Sequence, residues 1–342
     1  MLKFVGDICL TDIHLDIGCG IGTKIKNGFN PFEKLNKQED EIWIGNFESV
    51  VATHSIHMNY HRDFFRIEPD LLKKCHFIDF YGVANNHVME HGAEAYKEMC
   101  NFLPTFCRGI FGSKEQKSIL FKHEGKTITI TGFSLRREEG KNAPLYWNIP
   151  NLSEIKEEYS KLNSDYKIAY VHWGVEFITY PSIDQRRFAH WLIDLGFDLV
   201  IGMHPHILQG YEEYNSKYIF YSLGNFIFNM AWEQTKYSIV VNVDVTKNNV
   251  TYDYIKIDTD LSPKFITENE VPENLRLNSL NKKVSTIRNP EEYISEANVE
   301  LKQYRKSSHK AFIKNLPKLK KGVVNEMIID FIKRRFNHGN TK

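Results

Sequence analysis

The chain has 342 residues, 42% of them hydrophobic and 13% aromatic, with 44 Lys and Arg against 43 Asp and Glu for a net charge of +1. That length suits one large core, or one core with an appendage, and no run of about 18 apolar residues offers a membrane-spanning helix. Five cysteines (Cys9, Cys19, Cys75, Cys100 and Cys107), odd in number and without CxxC spacing, argue against a disulfide framework and for a reducing compartment. The first residues enter a strand at once and carry no signal-peptide pattern, so cytoplasmic residence is expected.

In chain order, residues 2–6 form a short apolar strand ending at Asp7, and 42–45 form another that runs into Asn46, Phe47 and Glu48. Residues 14–32 are glycine-rich and loop-like, and Glu68-Pro69-Asp70 has the proline and acid of a first helical turn. A strand over 77–83 leads into Ala84, Asn85, Asn86 and His87, and a helix over 91–102 follows. Alternating Thr and Ile make 126–133 a strand, 151–162 a helix, and 167–171 a strand delivering His172, Trp173 and Gly174. Residues 183–195 carry a helical apolar face. The run 198–201 is a buried strand that ends at Gly202, and His204-Pro205-His206 follows on a loop stiffened by its proline. Residues 237–245 and 250–257 alternate about Lys247-Asn248-Asn249 as a hairpin. From Pro263 the strand pattern is lost, and 270–342 read as helical and loop-rich. Strands alternating with helices, then a late hairpin, indicate a layered α/β protein with mixed sheets, whose site lies beyond the strand C-termini.

Polar residues at those ends share a chemistry. Asp7, Glu48, Asn86, His87, His172, His204 and His206 supply two carboxylates, one amide and four imidazoles. Mixed nitrogen and oxygen donors without thiolates suit Mn²⁺, Fe²⁺ or Zn²⁺. They are too many for one tetrahedral ion and fit two divalent ions sharing a carboxylate, about 3.5–4 Å apart, able to hold a phosphoryl group.

Gly6-Asp7, Asn46-Phe47-Glu48, Asn85-Asn86-His87 with Glu90 and Gly92, His172-Trp173-Gly174-Val175-Glu176, Gly202-Met203-His204-Pro205-His206 and Ser222-Leu223-Gly224-Asn225-Phe226 resemble, in order, the CapA family of capsule and poly-γ-glutamate synthesis proteins. That family is similar in fold and metal motifs to calcineurin-like metallophosphatases. The resemblance implies a layered α/β/β/α sandwich, of α/β (α+β) class, over residues 1–262, with a basic helical C-terminal extension over 263–342. It also implies roles. Asp7 and His206 would bind the first metal, Glu48 would bridge, and Asn86, His172 and His204 would bind the second. A metal-bound hydroxide would attack, with His87 as substrate donor or general acid and Glu90 orienting it. The broader metallophosphatases place histidine where this chain has Cys9, so the first site is short of a ligand, and a one-metal site stands as an alternative.

Four further residues are candidates for the substrate side, each with a structural alternative. Arg66 could clamp a phosphate or carboxylate, or make a salt bridge. Trp173 could stack on a sugar, or pack in the core. Glu176 could orient His172, or be a surface acid. Asn225 could line the site, or make a Gly-Asn turn.

The function expected is metal-dependent phosphoester hydrolysis in capsule, poly-γ-glutamate or other surface-polymer biosynthesis. The alternatives are a non-hydrolytic accessory factor of polymer assembly, and metal-assisted cleavage or transfer at γ-glutamyl amide bonds. Residues 301–342 hold 12 Lys and Arg against 2 acidic residues, whereas 1–300 hold 32 against 41. Such a tail suits an anionic small-molecule or polymer substrate, the polymer-synthesis machinery, or the inner face of an anionic membrane, or else it is a solvated, solubilising helix. No nucleic-acid motif accompanies it. Val324, Met327, Ile328 and Phe331 share a helical face before Lys333-Arg334-Arg335, as a helix docked on the body or lying on a leaflet.

Overall fold

A computed structural model describes residues 1–58, 60–136, 143–286, 289–319, 322–327 and 329. In chain order the strands are β1 (Leu2–Ile8), β2 (Ile42–Phe47), β3 (Val50–Val51), β4 (Arg66–Ile67), β5 (Phe80–Gly82), β6 (Gly109–Phe111), β7 (Ser118–His123), β8 (Lys126–Ser134), β9 (Tyr166–His172), β10 (Leu199–Met203), β11 (Tyr211–Tyr214), β12 (Lys217–Phe220), β13 (Asn225–Ile227), β14 (Tyr237–Asp244), β15 (Asn249–Ile257) and β16 (Pro263–Ile266). The α-helices are α1 (Ile21–Lys26), α2 (Pro69–Leu72), α3 (Gly92–Phe106), α4 (Leu152–Ser160), α5 (Ile183–Leu195), α6 (Leu277–Ser285) and α7 (Pro290–Asn315).

Two large mixed sheets result. The first runs β16-β15-β14-β1-β2-β5-β6, with β13 also on β1, and the second runs β11-β12-β10-β9-β8-β7. Side-chain alternation tells how they stack. Phe4, Ile42, Ile44, Phe80, Ile239 and Val241 of the first sheet share one core with Ile128, Ile130, Ile168, Tyr170, Leu199 and Ile201 of the second. Their neighbours face outward. Val5, Trp43 and Tyr81 pack under Ala95, Tyr96, Met99 and Leu103 of α3. On the far side, Ala169, Val171, Val200 and Ile219 pack under Ile155 of α4 and Ala189, Leu192 and Ile193 of α5. The layer order is α/β/β/α, as the sequence implied, with α6 and α7 following it.

Local chemistry sets the helix limits. Asn151 and Glu154 form a capping box on α4, Ser182 and Gln185 form one on α5, and Gly196 ends α5 at φ 123°. The expected hairpin is present, with β14 antiparallel to β15. Eight strands escape the sequence pattern: β3, β4, β6, β7, β11, β12, β13 and β16. β7 and β11 are edge strands with half-exposed residues, and β16 begins on a proline that pairs with Ile257. Beyond β16, Val271, Leu275, Leu277 and Leu280 are buried in the inter-sheet core. Residues 322–325 are helical, but Ile328, Phe331 and the run 333–335 lie outside the described residues. No helix among the described residues is long and apolar enough to cross a membrane.

The sheet C-termini converge because β1, β2 and β5 are mutually parallel in one sheet and β9 and β10 in the other. Close approach at that edge needs glycine. A Cβ on Gly6 would lie 1.9 Å from the carbonyl oxygen of Gly224, where Asp7 N–H donates to that same oxygen at 2.9 Å. We predict that Gly6→Ala lowers stability by about 1–3 kcal/mol through overpacking. An unchanged urea midpoint in that variant would contradict this account of the edge.

Candidate metal centre

Strand parity brings the donors inward. In β9, Ile168 and Tyr170 face the inter-sheet core, so His172 falls on the same side. In β2, Ile42 and Ile44 face inward, and Asn46 and then Glu48 continue the series. β1 would carry Asp7 outward by simple alternation from Phe4. Its pairing with β2 shifts register between Phe4 and Asp7, Ile8 turns to the outer core instead, and Asp7 faces the donors. His204 and His206 follow β10 with φ of 100° and 57°, left-handed conformations that cost about 1–3 kcal/mol each and persist only where the surroundings enforce them.

Three overlapping donor sets occur among the described residues, each with its atoms within 4.8 Å of one another: Asp7, Glu48 and His206; Glu48, His172 and His204; and Glu176, His204 and His206. Glu48 Oε1 lies 3.5 Å from His206 Nε2 and 3.8 Å from His172 Nε2. The side-chain oxygen of Asn86 is 2.9 Å from His172 Nε2. Asp7, Glu48, His172, His204 and His206 are all buried. Glu48 Oε1 and both ring nitrogens of His204 find no hydrogen-bond partner among the described residues. Orphaned buried polar atoms in overlapping donor sets fit a divalent cation, which supplies the interaction that the protein withholds.

Titration follows from burial. Desolvation and the neighbouring Asp7 hold Glu48 well above the usual carboxylate range. Burial opposes ionisation of Asp7 too, but its bond to His206 and the charges of His206 and His172 bring it below the usual value. Burial pushes His172 down to about 3 and His204 well below its ordinary value. For His206, burial is outweighed by Asp7, and the imidazole is raised. Neutral imidazoles and ionised carboxylates are the forms that bind metal.

His87 faces the same cluster, with Nε2 3.9 Å from Glu48 Oε1. Its Nδ1 meets Glu90 Oε1 at 2.5 Å, and its ring stacks on Phe65 at 3.8 Å and 10°. His57 Nε2 lies 2.9 Å from the carbonyl oxygen of Glu90. Cys9 is buried against Thr11, with its thiol pushed up to about 12 by burial. It is an inert core group. His14 is exposed and belongs to none of the donor sets.

The residues expected on the substrate side are placed otherwise. Trp173 is fully buried on the helix side of the second sheet, donating to Tyr221 O at 2.9 Å, so it offers no sugar platform. Arg66 is buried and its guanidinium donates to Arg62 O (2.8 Å), Ala52 O (2.6 Å) and Asp63 Oδ1 (2.9 Å), so those donors are committed within the fold. Asn225 Oδ1 sits 3.1 Å from His206 Nδ1 while its amide group reaches Thr235 O at 3.1 Å, and it braces the His206 ring. Glu176 groups with His204 and His206 rather than with His172 alone, and Arg136 lies 3.7 Å from it.

Three contributors carried no role in the sequence reading. Asn46 donates to Asp7 Oδ1 at 2.7 Å and touches His172 Nδ1 at 3.3 Å. Its place two residues before Glu48, on the same strand face, was the available signal. Phe65 and Arg136 gave none.

The bacterial capsule synthesis protein PGA_cap family matches residues 1–230, and the chain belongs to that family. The PGA biosynthesis protein CapA of Bacillus subtilis (strain 168) is 31% identical over 244 residues, 64% of this chain and 61% of that protein. The capsule biosynthesis protein CapA of Bacillus anthracis is 31% identical over 202 residues, 54% of this chain and 49% of that one. The chain thus spans about half to three fifths of the length of these relatives. A solved phosphatase of Mycoplasma pneumoniae is 14% identical, with a TM-score of 0.46 over 75% of this chain and 92% of its own.

His172 and His204 take up protons in the unfolded chain near 6.5, whereas His172 in the fold takes one only near 3. Between those values the unfolded state binds more protons, so stability is full above 6.5 and falls as pH falls. We predict that chelator-treated protein loses up to about 1.4 kcal/mol per pH unit for each such histidine, and that His172→Gln flattens the slope. Urea unfolding between neutral and acidic pH measures it. Equal slopes in both proteins would contradict the neutral, buried state of His172.

Proposed function

We propose that this chain is a metal-dependent phosphoester hydrolase in surface-polymer biosynthesis. The observation that supports the reading most is Glu48, a buried carboxylate shared between two donor sets, with an unsatisfied oxygen facing His172 and His206. In this reading Asp7, Glu48 and His206 hold one ion, and Glu48, His172, His204 and Asn86 hold another. Mn²⁺, Fe²⁺ or Zn²⁺ suits such donors. Bound there, the ions would polarise a phosphoryl oxygen and lower the pKa of water.

The chain's own residues supply the rest. Glu90 accepts from His87 Nδ1–H, which fixes the ring so that Nε2 faces the cluster. With Nε2 protonated, His87 donates a proton to the departing oxygen. Phe65 holds the ring plane for that transfer. Asn225 orients His206, and Asn46 orients Asp7. The donors all lie within residues 1–262, and β16 and the helices after it pack onto that body before the basic end of the chain. The two relatives' names, a PGA and a capsule biosynthesis protein, support a place in polymer biosynthesis for that chemistry.

The test is elemental analysis together with hydrolysis of a generic phosphodiester and phosphomonoester across added Mn²⁺, Fe²⁺ and Zn²⁺. Two ions per chain and turnover are expected. His204→Ala should lose both an ion and turnover. His87→Ala should keep its ions and lose about 10²–10⁴-fold in rate, as removal of a general acid does. No turnover with any metal would overturn hydrolysis and favour a polymer-binding assembly role.

A further inference from the structure

The family match ends at residue 230, yet helix α7, over Pro290–Asn315, packs beside the site. Its sequence makes it a firm element. Asn289 caps it by accepting from Glu292 N at 2.8 Å, Pro290 opens it, and Glu291 and Glu292 fill the first turn. Tyr293, Ala297, Leu301 and Tyr304 recur at helical spacing and turn inward. The far end is tied as well, since Asn315 Nδ2 donates to Leu15 O at 3.0 Å.

What α7 holds is the loop that carries Glu176. Tyr304 stacks face to face on Phe177, with ring centroids 3.8 Å apart and planes 15° apart. Phe177 has φ 68°, and its N–H donates to Pro205 O at 2.8 Å, between the two metal-facing histidines. Its ring lies 6.3 Å from that of His206. Three residues on, Tyr180 donates to Glu296 of α7 and packs against Tyr293 at 5.7 Å. From α6, Lys283 Nζ reaches Thr179 Oγ1 at 2.8 Å. Glu176 is therefore bracketed by residues fixed from the C-terminal helices, and its carboxylate joins His204 and His206 in the third donor set.

We propose that α7 is a working part of the metal centre. Through Tyr304 on Phe177 and Glu296 on Tyr180, it sets the 174–180 loop so that Glu176 serves as an added carboxylate ligand opposite His204 and His206. The proposal rests on the metal-centre reading above. Tyr304 is in this account a positioning residue, acting through Phe177, and Glu176 is the group that touches the ion.

The test uses the full chain, stripped with chelator and titrated with Mn²⁺ by calorimetry. Tyr304→Ala should weaken ion binding on the order of tenfold, the usual effect of removing a ligand's support. Tyr304→Phe should bind as the wild type does, because stacking needs no hydroxyl. Glu176→Gln should weaken binding at least as much, and the double variant with Tyr304→Ala should add little. Circular dichroism and thermal unfolding report whether each variant is folded. Should Tyr304→Ala fail to fold, Glu296→Ala, which removes the acceptor of the Tyr180 hydroxyl, takes its place, with weaker binding expected and unchanged affinity overturning the proposal. Wild-type affinity in folded Tyr304→Ala, or in Glu176→Gln, also overturns it while leaving the metal centre intact. A wild-type chain that binds no Mn²⁺ overturns the metal centre and this proposal together.

Discussion

A carboxylate oxygen buried without a hydrogen bond is among the least favourable groups a folded chain can hold, and Glu48 Oε1 is one. The desolvation cannot be relieved by the nearest acid, because Asp7 is buried beside it and competes for the same positive charge. Much of the molecule's edge is arranged around that group. Two imidazoles lie within 3.8 Å of it, and a third, His204, is itself without a hydrogen-bond partner among the described residues. The backbone is bent to the same end. The register shift in β1 turns Asp7 inward, and left-handed residues at positions 204 and 206 aim two rings at the cluster. A fold that keeps such costs in one place concentrates function there.

The scaffold explains how the cost is tolerated. Parallel strands in two stacked sheets finish on a common edge, so donors 199 residues apart in sequence, from Asp7 to His206, become neighbours at 3.3 Å. Gly6 and Gly202 let the strands close there. A Cβ on Gly202 would sit 2.1 Å from Tyr221 O, beneath the histidine loop. Pro205 stiffens that loop, and Phe177 N–H ties it to the neighbouring one. The donors are thus held by secondary structure and by backbone bonds, which favours preorganisation over closure on binding.

Much of this was legible in the residues. Strand ends carrying Asp, Glu, Asn and His are local signals, and the helix over 183–195 coincides with Ile183–Leu195 because apolar spacing and the Ser182 cap agree. The hairpin was equally plain. Trp173 is a different matter. It follows His172 by one residue in an extended segment, so period-two alternation points it to the opposite face and decides for core packing over a sugar platform. Arg66 could not have been resolved, since its partners at Arg62 O and Ala52 O depend on how two short strands pair. Glu176 needed tertiary structure too, because its companions His204 and His206 and its support from α7 lie far along the chain. Edge strands β7, β11 and β16 lack a fully buried face, and alternation is weakest in such strands.

The central claim is that Glu48 is shared between two ions. The most direct measurement is a crystal structure grown with Mn²⁺, with anomalous differences collected at the manganese edge. The account predicts two peaks about 3.5–4 Å apart, on either side of the Glu48 carboxylate. A single peak bound by His204 and His206 but not by Glu48, or no peak in the cluster, would contradict it.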